Sequence, residues 1–198
     1  MRWPSPDSIL GSNCPLCGRE LDGPGVCSSC AREMHAARRH NLLYLGNYRK
    51  YKDVVRSLKY RGGRNLVPIL AQKLAEGVRA AEWRPEAVTA VPTMWWRSWL
   101  RGYNPAEVLA REIAAELELP YQRVLARRYA PSQTRRGRDE RSAVKAGVFY
   151  LRMILKQQTW LLVDDVWTTG GTFRAVERVL RAGGARAVYG AVIAARGD

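Results

Sequence analysis

Residues 160–181 constrain the fold more than any other stretch of the chain. An apolar run, Trp160 to Val163, stops at two adjacent carboxylates, Asp164 and Asp165. A turn of small residues follows, Thr168-Thr169-Gly170-Gly171-Thr172. Arg174 to Arg181 then reads as a helix with Ala175, Val176, Val179 and Leu180 on one face. The order is strand, acid pair, small-residue loop, helix start. A helix N-terminus carries roughly half a positive charge and about four N–H groups with no intrahelical partner, which suits a phosphate. Gly170 and Gly171 allow a tight turn and close backbone approach, and Thr168, Thr169 and Thr172 add hydroxyl donors. Asp164 and Asp165 would hold ribose hydroxyls, directly or through a hydrated Mg²⁺. That chemistry selects a sugar phosphate. Asp-Asp alone, or Thr-Gly-Gly alone, equally describes an ordinary strand–helix turn with a capping acid. The complete string, set between an apolar strand and an amphipathic helix, is what narrows the reading.

The string resembles the 5-phosphoribosyl-1-pyrophosphate (PRPP) signature of the type I phosphoribosyltransferases. The resemblance implies that Asp164 and Asp165 meet the ribose 2- and 3-hydroxyls and that Thr168 to Thr172 cradle the 5-phosphate.

At 198 residues the chain has room for one α/β domain and a small appendage. No run of about 18 apolar residues offers a membrane span, and Met1 to Cys14 does not read as a secretory signal. A cytoplasmic location without membrane insertion is the expectation. The net charge of +15 is concentrated in two stretches. Residues 49–64 hold seven Lys or Arg against Asp53, a balance of +6, and residues 121–152 hold nine against Asp139 and Glu140, a balance of +7. Clustered positive charge is the electrostatic footprint of a polyanion binder. Arg outnumbers Lys heavily, so an Arg-rich, high-GC genome decorating solvated faces stays open as an alternative.

Cys14, Cys17, Cys27 and Cys30 are all the cysteines of the chain, arranged as two C-x-x-C pairs nine residues apart. Each pair suits a knuckle around one tetrahedral Zn²⁺, with Gly18, Gly23, Pro24 and Gly25 supplying turns. Two disulfides are the alternative, disfavoured in a reducing cytoplasm. The segment holds too few apolar residues to fold alone, so structural zinc would supply much of its stability. His35 and His40 follow the second pair, on an expected helix from Ala31 to Arg39, as solvated or capping residues.

Tyr48, Tyr51, Val54, Val55 and Leu58 keep helical spacing through residues 48–60, with Lys and Arg opposite. Arg61-Gly62-Gly63-Arg64 ends that helix, and a second runs from about Asn65 to Ala81. Ala87 to Val91 reads as a buried strand ending at Pro92, and a helix follows from about Ala106 to Glu118. The loop between them is where open parallel α/β sheets bind ligands. Within it, Arg97 and Arg101 are candidate pyrophosphate donors. Trp95, Trp96 and Trp99 either pack inward or stack on bases. Residues 131–147 are strongly basic without apolar periodicity, the pattern of a loop that closes over an anion. Further strands are expected at 147–151 and 187–194.

Together these residues resemble the ComF (ComFC-like) competence proteins. The resemblance runs in order through the four-cysteine module, the Tyr-Arg-Lys to Lys-Tyr-Arg-Gly stretch of 48–62, and Arg101-Gly102-Tyr103-Asn104. It continues through Gln133-Thr134 and the Arg run after it, then Gly147 and Phe149, to Asp164 through Gly170. Pro105 departs from it, standing where Gln usually follows Asn. The implied fold class is α/β: a type I phosphoribosyltransferase-like parallel sheet flanked by helices, at 43–198, behind a zinc module and linker helix at 1–42. The implied function is binding of PRPP with Mg²⁺ and of single-stranded DNA in the cytoplasm during natural transformation, beside a helicase-type partner and a recombination mediator. Arg61, Arg64, Arg135, Arg136, Arg138, Arg141 and Lys145 are the candidate DNA contacts. Two alternatives stand beside that reading. One is an active phosphoribosyltransferase with an unidentified acceptor, for which no catalytic residue is legible. The other is a scaffold in which the zinc module docks a partner.

Overall fold

The computed structural model describes residues 13–59, 61–94, 102–128 and 148–196. The helices are α1 (Ser28–Glu33), α2 (Tyr48–Ser57), α3 (Val67–Ala80), α4 (Pro105–Glu116) and α5 (Gly171–Ala182). A 3₁₀ helix, Arg61–Leu66, leads into α3. The strands are β1 (Ala37–Arg39), β2 (Leu42–Asn47), β3 (Ala87–Ala90), β4 (Leu125–Arg127), β5 (Phe149–Leu151), β6 (Thr159–Trp167) and β7 (Ala187–Ala195).

Five strands form one sheet in the order β1-β2-β7-β6-β3, and β4 and β5 pair separately as an antiparallel ribbon. β2, β7, β6 and β3 are parallel, while β1 folds back antiparallel on β2 as the outer strand. Parallel strands need crossovers that cover both faces, so their sequences are near-continuously apolar. β6 shows how such a strand divides its side chains. Leu161 and Val163 join the core formed with α2, α3 and α4. Trp160 and Leu162 face the other way, into the core formed with Phe173, Ala175, Val176 and Leu180 of α5.

The connections decide where a ligand fits. β3 returns to β6 through α4 on one face, whereas β6 returns to β7 through α5 on the other. A crevice therefore opens outside the carboxyl ends of β3 and β6, the topological switch point of the sheet.

Two sequence expectations are corrected. The expected helix from Ala31 to Arg39 is instead α1, which ends at Glu33, followed by β1. Residues 37–39 are fully exposed on the sheet edge and carry no apolar pattern from which a strand could be read. The apolar strand does not stop at Val163. β6 continues through both acids to Trp167, since β7 supplies backbone partners as far as Ala195.

Candidate functional site

Asp164 and Asp165 lie inside the last turns of β6, so their backbone is fixed by the sheet and not by a loop. Strand alternation puts Asp164 on the α5 side with Trp160 and Leu162 and turns Asp165 to the opposite side. Asp164 lies in a narrow cavity with Val166, Trp167, Thr168, Gly170, Thr172 and Phe173. Its Oδ1 accepts the Asp165 N–H at 2.9 Å. Burial, and then the charge of Asp165, push the Asp164 carboxyl well above the usual carboxylate range. The Asp165 N–H and Arg127 pull against that shift.

Gly170 joins strand to helix. Its φ of 73° lies in the left-handed region, and it caps α5 with no side-chain hydrogen bond. A Cβ there would come within 2.4 Å of the Trp167 ring and 2.5 Å of the Arg174 guanidinium. Glycine alone fits this turn. The first turn of α5 holds no acidic residue. With no side-chain cap and no acidic residue in its own first turn, the helix start offers its N–H groups and positive end to an anion. Trp167 leans on Phe173, ring centroids 5.1 Å apart, and Arg174 donates to the Thr169 carbonyl at 2.6 Å. These contacts brace the loop from beneath and from the side.

Across the crevice, Asn104 caps α4 by accepting the Ala106 N–H at 3.2 Å, and its amide donates to the Val91 carbonyl at 3.1 Å. Pro105 occupies the first turn of α4, where its missing N–H costs nothing. Glu107 pairs with Arg111 at 3.0 Å and approaches Arg123 at 3.8 Å. Asn104 and Glu107 are thus committed to structure. The Tyr103 hydroxyl is buried and donates to the Leu58 carbonyl at 2.6 Å. Arg64, exposed, lies 4.3 Å over the Tyr103 ring.

The four cysteines converge at the other end of the chain. Their sulfurs all lie within 4.8 Å of one another. The Cys17 and Cys27 sulfurs are 3.7 Å apart. Four sulfurs about 2.3 Å from a tetrahedral Zn²⁺ stand roughly 3.8 Å apart, so the set is placed to hold a metal ion and its spacing is consistent with zinc. Gly18, at φ 77°, closes the first knuckle by donating to the Cys14 carbonyl. The Cys27 N–H points at the Cys14 sulfur and the Cys30 N–H at the Cys27 sulfur, each at 3.5 Å. The Cys30 N–H, chiefly, draws the Cys27 thiol down to about 6, whereas burial and then the neighbouring sulfurs push Cys30 up to about 12. Burial raises Cys14, but the N–H groups around it outweigh that and leave it lowered. Crowded thiols pulled in opposite directions are what a shared cation would reconcile. His35 and His40 are exposed and outside the cluster. Leu16 and Val26 pack, with buried Met34, on the α2–α3 side of the core.

Known proteins are similar to this chain in sequence and fold. The phosphoribosyl transferase domain family matches residues 104–198. Competence protein F of Haemophilus influenzae is 25% identical over 192 residues, 85% of this chain and 83% of that protein. Competence protein ComFC of Streptococcus pneumoniae is 26% identical over 184 residues, 92% of this chain and 80% of that protein. The chain is ComFC-like. Among solved structures, adenine phosphoribosyl transferase from Trypanosoma brucei superposes with a TM-score of 0.50 at 15% identity, covering 82% of this chain and 86% of that one. At that identity the likeness concerns the fold.

In this ComFC-like chain Asp164, Thr168, Gly170 and Thr172 line one cavity at the end of β6, Asp165, Thr169 and Gly171 are not in its lining, and the four cysteines form one cluster. Arg64 lies against the 102–104 segment. Arg97, Arg101, Arg135, Arg136, Arg138, Arg141 and Lys145 lie outside the described residues, as do Trp95, Trp96 and Trp99 and the side chain of Arg61. Sequence reading missed a second depression beside the loop, of about 400 Å³, whose lining includes Arg39, His40, Arg174 and Arg196. These basic residues come from three distant parts of the chain, 39–40, 174 and 196, so windowed charge counts do not join them.

Proposed function

We propose that this ComFC-like chain binds PRPP at the 164–172 loop and single-stranded DNA on its basic surfaces, in the cytoplasm, during uptake and use of DNA. The observation that carries the PRPP reading is the Gly170 turn, which sets an uncapped helix start beside two sheet-anchored carboxylates. The 5-phosphate takes the N–H groups and hydroxyls of residues 168–172, and Asp165 with Asp164 takes the ribose hydroxyls. The donor set fits Mg²⁺: two consecutive carboxylates near the end of β6, Asp164 pushed up by burial and then by its neighbour, supply the oxygen ligands a hard cation prefers. Bound Mg²⁺ would offset the pyrophosphate charge. The cysteine cluster takes structural Zn²⁺ and heads a 1–42 module ahead of the 43–198 domain, to whose sheet that module contributes β1.

The DNA reading rests on the two basic stretches and on the relatives' names, competence protein and, for a Salmonella typhimurium relative, "DNA utilization protein YhgH", 25% identical over 186 residues. Arg49, Lys50, Lys52 and Arg56 line the exposed side of α2. Arg61, Arg64, Arg135, Arg136, Arg138, Arg141 and Lys145 extend the cationic surface, and Arg97 and Arg101 serve the pyrophosphate. A competence helicase and a recombination mediator are the proposed protein partners.

The test is single-stranded oligonucleotide affinity by fluorescence anisotropy, with and without Mg²⁺-PRPP, across a salt series. Expected are a steep fall with salt, from release of condensed counterions, and a change in affinity when PRPP is present. A wild-type chain that ignores DNA in both conditions but consumes PRPP with release of pyrophosphate would instead be a phosphoribosyltransferase.

A further inference from the structure

The depression beside the loop is a surface that the 164–172 signature does not explain. The β1–β2 hairpin brings Arg39 and His40, α5 brings Arg174, and the residue after β7 is Arg196. Four basic groups from three separate parts of the fold thus face one concave surface, and among the described residues no carboxylate lines it. Trp167 and Thr168 form part of its wall, and they also line the narrow cavity that holds Asp164. One short segment therefore separates two anion-receptive spaces. The cations also continue past the rim. Arg196 lies 4.3 Å over the Tyr48 ring, at the start of α2, whose exposed side carries Arg49, Lys52 and Arg56.

We infer that this depression is a second anionic-ligand site, which takes the phosphodiester backbone of a single nucleic-acid strand, and that the strand runs from it over Arg196 to the basic side of α2. The inference rests on the DNA-binding reading above and deepens it. Guanidinium groups are suited to phosphate oxygens, with bidentate geometry and a charge that is never lost. An aromatic wall at Trp167 adds a stacking face for a base. A lone nucleotide would use the depression; the continuation to α2 is what favours a polymer, because its extra phosphates find extra cations. Since Trp167 and Thr168 are common to both spaces, a ligand that fixes the loop from one side changes the surface offered on the other, and the effect is reciprocal.

The test compares the full-length wild type with two variants that leave residues 164–172 untouched: Arg39→Gln with His40→Asn, and Arg196→Gln. Asparagine at 40 tolerates the φ of 52° found there. Circular dichroism and thermal melting establish that each is folded. Anisotropy then gives oligothymidine affinity over a salt series, and calorimetry gives Mg²⁺-PRPP affinity. Expected is a roughly 5–20-fold loss of oligonucleotide affinity in each, with the salt slope lowered by about one for each phosphate contact removed. PRPP affinity alone should stay within about twofold, while the PRPP-induced change in DNA affinity shrinks. Folded variants with wild-type DNA affinity and slope would overturn this path, and loss of binding on Arg135, Arg136, Arg138 and Arg141 replacement would keep the broader DNA reading. Absence of DNA binding by the wild type overturns both. Mononucleotides binding as tightly as a 20-nucleotide strand would overturn the polymer assignment.

Discussion

The cysteine cluster and the Asp164 loop are both small sites, yet they balance charge in opposite ways. The cluster gathers four sulfurs with backbone N–H groups aimed at them, on a segment with hardly any core of its own. Its shape would depend on the metal proposed for it. The loop stands on β6, whose shape is guaranteed by two buried faces, and it leaves two acids and a helix start poorly compensated. One site would take its shape from a metal, and the other takes its shape from the sheet.

That contrast can be broken most forcefully at the cysteines. Cys14→Ser, or removal of metal with a strong chelator, should unfold residues 13–34. Metal binding in such modules is worth on the order of 10 kcal/mol of folding free energy. Hydrogen exchange should show lost protection there and retention across β6 and β7. A module that stays protected without metal would erase the contrast.

At the loop, Asp165→Asn should weaken Mg²⁺-PRPP binding by at least about 100-fold, the equivalent of roughly 2.7 kcal/mol, with the melting temperature nearly unchanged. Calorimetry and melting on one preparation check both halves. Unchanged PRPP affinity would sink the site assignment. Gly170→Ala should cost about 1–3 kcal/mol, because alanine must take a left-handed φ against the Trp167 ring. Denaturant unfolding reads that cost, and a neutral result would mean the turn relaxes without strain.

The smallest effect runs in the opposite direction. Asp164 has its folded-state pKa raised, so the native protein holds that proton more tightly than the unfolded chain. Stability from this group is therefore greatest below about pH 4 and declines as pH rises through the raised value. Asp164→Asn removes the penalty and should raise the melting temperature at pH 7. Each kcal/mol regained is worth roughly 2–4 °C for a chain of this size. The gain should vanish as pH falls toward 4 in parallel melts. A variant that melts lower than wild type at pH 7 would mean Asp164 stabilises the empty loop, contrary to its burial.

The legibility of the chain follows the same physics. α2, α3, α4 and α5 were readable because each shows one apolar face over several turns. The loop was readable because a strand, two acids, small residues and a helix form a long ordered string. β2 went unseen because Leu42–Asn47 is short and both its faces are covered, and β4 because three residues, Leu125–Arg127, hold no periodicity. The end of β6 was misplaced because charge usually marks the end of a strand, while here pairing with β7 carries two acids onward. The second depression was illegible for another reason. Its basic residues span 196 − 39 = 157 positions, from Arg39 to Arg196, and only the sheet order joins them.

β1 has one more consequence. An outer strand with free backbone groups is an invitation for another chain to add itself, and proteins commonly deter this with charge. Here Arg38 and Arg39 stand exposed on that strand, with Arg38 extended over the Trp83 ring. Charges that would deter a second copy of the sheet would also draw phosphates, so on the proposed strand path one border would serve both ends.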